Sequence, residues 1–89
     1  MPKKSFRLFY TEKAKKELSR LALSDVTKTI SQIGQLTFPF PTQLNIKKMK
    51  DVPDFFRLKF GKVRVIFTIN YESNSLIIRK IGYRKDIYR

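Results

Sequence analysis

The sequence predicts an α+β domain: an N-terminal strand, two helices, then an antiparallel β-meander forming one sheet with the helices packed on one face. Three observations predict it. Apolar residues recur at helical spacing between residues 14 and 36. From Phe55 onward they alternate with polar ones. Turn residues then cut that alternating half into strands. Helices followed by strands, rather than interleaved with them, form a separate layer on an antiparallel sheet.

Each element has its own justification. Ser5 to Tyr10 alternates, with Phe6, Leu8 and Tyr10 on one face and Arg7 and Phe9 on the other, and reads as the first strand. Thr11 can cap a helix from Glu12 to about Leu21, with Ala14, Leu18 and Leu21 as its apolar stripe. Ser24 is expected to cap a second helix, with Asp25 in its first turn and Val26, Ile30, Ile33 and Leu36 as its stripe. Phe38-Pro39-Phe40-Pro41 stops that helix and opens a loop. Phe55 to Phe60 is a strand with Phe56, Leu58 and Phe60 on one face and Phe55, Arg57 and Lys59 on the other. Gly61-Lys62 suits a type II′ hairpin turn. Val63 to Tyr71 and Leu76 to about Tyr83 complete the meander, and Arg84 to Arg89 form a basic tail.

Composition bounds what the domain can do. The 89 residues are read as one domain, 1–89, without repeats or linker. A chain of this size buries only roughly 60–65% of its unfolded surface, and without cysteine no disulfide adds to its stability. Met1-Pro2-Lys3-Lys4 has no apolar stretch behind it and no segment approaches a membrane span, so the reading is a cytoplasmic protein with no membrane partner. Twenty Lys and Arg against seven Asp and Glu give a net charge of +13, which implies a polyanionic partner. Histidine and cysteine are both absent, which excludes Ser-His-Asp and Cys-His triads. The acids Glu12, Glu17, Asp25, Asp51, Asp54, Glu72 and Asp86 are scattered, so neither a metal site nor another cofactor is expected. An enzyme built from this sequence works with Lys, Arg and Tyr.

The turn at Gly61-Lys62 sets a register in which Lys59 faces Arg64, with Arg57 on the same face. Like charges directly opposed cost on the order of 0.2–1 kcal/mol. Splaying into solvent relieves the pair, and so does a partner's phosphate; we favour the phosphate. The segment Ile81-Gly82-Tyr83-Arg84-Lys85-Asp86-Ile87-Tyr88-Arg89 adds cations and two tyrosines, a mixture that suits unpaired RNA.

Asp51-Val52-Pro53-Asp54-Phe55-Phe56-Arg57-Leu58-Lys59-Phe60-Gly61-Lys62-Val63-Arg64-Val65-Ile66-Phe67, followed by the ending IGYRKDIYR, resembles the RelE/ParE superfamily of toxin–antitoxin toxins. The resemblance covers nearly the whole chain and implies an endonuclease that cuts messenger RNA on the ribosome, with an antitoxin as partner, expected to be acidic. The family's basic site residues correspond to Arg57, Lys59, Arg64 and Arg84, and its site tyrosine to Tyr88. Tyr83 stands where many relatives carry histidine.

Metal-free RNA cleavage uses the ribose 2′-OH as nucleophile and needs a base, phosphate-binding cations and a group that steadies the leaving oxygen. Arginine is too basic to accept a proton, whereas lysine can be neutral when cations crowd it. Lys59 is therefore the expected base. Arg57, Arg64 and Lys85 hold phosphate, Arg84 holds phosphate and serves the leaving group, and Tyr88 stacks on a base or orients the 2′-OH. The resemblance leaves two other readings open: an inhibitor of DNA gyrase like ParE relatives, and a non-catalytic RNA- or ribosome-binding module.

Overall fold

The structure is a computed structural model and describes residues 4–87. Its elements are β1 (Lys4–Ser5), β2 (Arg7–Tyr10), α1 (Glu12–Ser19), α2 (Leu23–Gly34), β3 (Thr37–Phe38), β4 (Asn45–Lys48), β5 (Phe55–Phe60), β6 (Val63–Asn70), β7 (Ser75–Tyr83) and α3 (Arg84–Ile87). The main sheet has the order β2-β7-β6-β5-β4. The meander β5–β6–β7 is antiparallel, as expected, while β2 adds to β7 in parallel. β1 and β3 pair separately, so the first strand divides at Phe6.

The core lies between the helices and one face of the sheet. Ala14, Leu21, Ile33 and Leu36 meet Phe56 and Leu58 of β5, Val63, Val65, Phe67 and Ile69 of β6, and Leu76, Ile78 and Ile81 of β7. Thr11 caps α1 as anticipated, accepting from Ala14 N at 3.0 Å. Past the last β2 pair, Glu17 Oε1 of α1 takes the Ile81 N–H of β7 at 3.1 Å, tying helix to strand.

Several expectations need correction. The second helix begins at Leu23 with Ala22 as its cap residue, and Ser24 caps nothing. Its start is held from outside: the Tyr83 hydroxyl accepts from Ala22 N at 2.9 Å and donates to Asp25 Oδ2 at 2.7 Å. On that helix Thr29 is fully buried and Ile30 is half exposed, so the stripe runs Val26, Thr29, Ile33 and Leu36. Thr29 is tolerated inside because its hydroxyl donates to Asp25 O at 2.6 Å. The strand read to Tyr71 stops at Asn70, whose side chain accepts from Ser73 N and opens the turn. Tyr71 is left exposed, its ring edge-on to Phe38. The edge strand β4 and the helical turn α3 were not anticipated: Asn45-Ile46-Lys47-Lys48 has one apolar residue, and 84–89 read as a tail. No helix among the described residues is long and apolar enough to cross a membrane.

Candidate active site

Helices α1 and α2 cover one face of the main sheet, and the other face carries the charge. Strands β4 to β7 contain Lys47, Lys48, Arg57, Lys59, Arg64, Arg79 and Lys80 and no Asp or Glu. All but Lys48 occupy the face opposite the core. Lys47 pairs with Arg57, Arg57 with Ile66, and Ile66 with Lys80; Lys59 pairs with Arg64, and Arg64 with Gly82. Gly61 has φ +52°, which the first turn residue of a type II′ hairpin needs and glycine adopts without strain. The register Lys59↔Arg64 follows from that turn, as expected from the sequence.

The opposed cations resolve their repulsion by different routes. Lys59 is exposed. Arg64 is 6% exposed and folds back onto its own hairpin, with Nη1 donating to Gly61 O at 2.8 Å and to Val63 O at 3.0 Å. Arg64 is thus a pinned guanidinium rather than an open one, and Nε and Nη2 are its remaining donors. A planar fork held this way is pre-oriented for an oxyanion.

The β7–α3 junction is fixed to the same turn. Arg84 N donates to Lys62 O at 2.7 Å, so the Arg64 side chain and the Arg84 backbone hold consecutive carbonyls. Ile87 of α3 is buried against Gly82: a Cβ at Gly82 would lie 3.3 Å from Ile87 Cδ1. Strand alternation directs that Cβ position to the charged face, opposite Arg64, so α3 turns back over this end of the sheet.

The anticipated residues therefore fall into two groups around one hairpin. Arg57, Lys59 and Arg64 share the charged face. Arg57 lines an open depression of about 340 Å³ with Lys47, Lys48, Met49 and Lys50. Arg84 and Lys85 line another, of about 500 Å³, with Lys62, Tyr83 and Asp25. Tyr83 projects to the helix side, where Asp25 and Ala22 occupy its hydroxyl. Tyr88 lies outside the described residues.

Sequence reasoning missed Lys47, Arg79 and Lys80 on this face. Lys47 was missed with its strand. Arg79 and Lys80 are adjacent in sequence, and simple alternation gives them opposite faces. A bulge changes that: Ile66 pairs with Lys80 and Phe67 with Ile78, so Arg79 is an extra residue between two buried isoleucines, Ile78 and Ile81. Both cations then emerge together on the charged side. Among the described residues, no three carboxylates gather into a metal-binding group.

A family model described as the ParE toxin of type II toxin–antitoxin systems, parDE, matches residues 8–88. The chain belongs to the RelE/ParE family of toxins. It is 33% identical over 76 residues to "Putative toxin RelE1" of Methanocaldococcus jannaschii, an alignment that covers 83% of this chain and 84% of that protein. Among solved structures, the toxin fold superposes on the RelB-RelE antitoxin-toxin complex from Methanococcus jannaschii with a TM-score of 0.77, at 21% identity, over 90% of this chain and 94% of that one. The RelE-RelB complex from Pyrococcus horikoshii OT3 gives 0.76 at 21% identity over 91% and 97%. The isolated E. coli RelE toxin gives 0.73 at 19% identity over 94% and 92%. These structural likenesses establish the shared fold.

Proposed function

We propose that this RelE/ParE toxin is a cytoplasmic endoribonuclease that cuts messenger RNA on the ribosome without a metal ion. The observation that carries the reading is the sheet face whose strands carry no carboxylate, on which Lys59 stands exposed opposite the pinned Arg64, with Arg57 two residues away. A phosphodiester is what such a face is built to receive. Arg57 and the remaining donors of Arg64 hold the scissile phosphate. Lys59, the amine among these groups, takes the 2′-OH proton as that oxygen attacks phosphorus. The P–O5′ bond breaks and the departing 5′-oxygen takes up a proton from solvent, leaving a 2′,3′-cyclic phosphate (or, after hydrolysis, a 3′-phosphate) and a 5′-OH. Arg84 steadies the leaving oxygen, Lys85 holds a neighbouring phosphate, and Tyr88 stacks on a base or orients the 2′-OH.

The partner that restrains the toxin is an acidic antitoxin, a proposal supported by the solved complexes of similar folds, which pair RelE with RelB. The ParE description of the matching family favours a second reading, inhibition of DNA gyrase by protein contact. Expressing the chain alone and mapping message ends, with and without ribosomes, separates the two. New ends that appear with ribosomes present support cleavage. Intact messages with inhibited supercoiling support the gyrase reading.

A further inference from the structure

The charged face has an aromatic half as well as a cationic one. Phe55 lies opposite Thr68, two pairs beyond the Arg57–Ile66 pair, on the same face and further from the hairpin. The bulge delivers Arg79 to this spot. Its Nε donates to Thr68 Oγ1 at 2.8 Å, and its guanidinium carbon sits 5.8 Å from the centre of the Phe55 ring. Next to it, across Ile77, Phe9 of the edge strand β2 carries Arg7 at the same 5.8 Å. The same face therefore holds two arginine–phenylalanine pairs, and Phe9 and Arg79 are exposed.

We infer that Phe55 and Arg79, oriented by Thr68, form a stacking platform for an unpaired RNA base beside the scissile phosphate, with Phe9 and Arg7 as the next platform along the strand. The inference rests on the proposed RNA cleavage and adds to it the path of the flanking nucleotides. Three arguments carry it. A guanidinium plane and an aromatic ring are both surfaces on which any base stacks. Arg79 is held at Nε and against a ring, so little side-chain entropy remains to be lost on binding. Finally, Phe55 is two residues from Arg57, about 7 Å along the strand, a gap that adjacent nucleotides bridge. A fold needing only a cover for Phe55 has no reason to insert an extra cation beside Lys80 and Arg57.

The test uses a message with a 2′-O-methyl ribose at the cut site and 2-aminopurine beside it, alone and bound to ribosomes. Phe55→Leu and Arg79→Lys keep apolar bulk and charge but lose the ring and the plane. Each is expected to weaken binding about tenfold and to abolish quenching of the 2-aminopurine, with Tm unchanged. Lys80→Gln is expected to weaken binding while quenching persists. Quenching and affinity that survive in Phe55→Leu and Arg79→Lys would overturn the platform, as would variants that keep RNA binding and lose only capture of an acidic peptide. If the unaltered toxin quenches but does not cleave an unmodified message, the cleavage proposal falls and the platform stands. If it neither quenches nor binds, both fall.

Discussion

At the scale of single residues, Lys59 and Arg64 face each other, and the proposed mechanism gives them different work. Lys59→Arg keeps the charge and removes the proposed proton acceptor. Binding to ribosomes is therefore expected to persist while single-turnover cleavage is lost, because binding reads charge and proton abstraction needs a neutral amine. Cleavage by Lys59→Arg at the parental rate would move the base to Tyr88 or to the ribosome. Arg64→Ala removes a proposed phosphate donor and also strips Nη1 from the Gly61 and Val63 carbonyls. Its cleavage rate is expected to fall on the order of 10²-fold, as for loss of one oxyanion donor. Urea titration is expected to show a stability loss of about 1–3 kcal/mol as well, since a nearly buried, hydrogen-bonded side chain is gone. A variant slow in cleavage but fully stable would show that the turn does not depend on this guanidinium.

At the scale of elements, the hairpin β5–β6 was legible because its determinants are local: strict alternation on both sides and Gly61 at the turn. The face shared by Arg57, Lys59 and Arg64 followed from that register. What escaped was set by tertiary contact. The start of α2 is set by the Tyr83 hydroxyl, contributed by β7 some sixty residues later, so a local capping rule pointed at Ser24 instead. Thr29 replaces Ile30 in the core because a helix can satisfy a threonine hydroxyl internally, which makes polarity a poor guide there. The bulge at Arg79 leaves no mark in the sequence, since two adjacent cations read as ordinary surface. Two stability measurements follow. Tyr83→Phe deletes both hydroxyl bonds and is expected to lower stability by about 1–2 kcal/mol. Ile30→Ser, at an exposed position, is expected to stay within about 0.5 kcal/mol of the parent, while Ile33→Ala costs about 2–5 kcal/mol. Equal losses at Ile30 and Ile33 would contradict the observed face of α2.

For the whole molecule, the net charge of +13 is distributed unevenly, with seven cations and no carboxylate on strands β4 to β7. Binding to ribosomes or message is therefore expected to weaken steeply with salt, because each neutralised phosphate releases counterions. A flat salt profile would favour recognition of a protein surface. Metal-free attack by the ribose 2′-OH leaves its signature in the chemistry of the cut ends. Purified toxin is mixed in excess with message bound to ribosomes, in the presence of a metal chelator that leaves the ribosomes intact, and the fragments are typed enzymatically. The expected products are 5′-OH fragments whose upstream partners end in a 2′,3′-cyclic phosphate or 3′-phosphate, with no cut where the attacking ribose is 2′-deoxy. Fragments with 5′-phosphate and 3′-OH ends, cutting at a 2′-deoxy site, or intact message would contradict it.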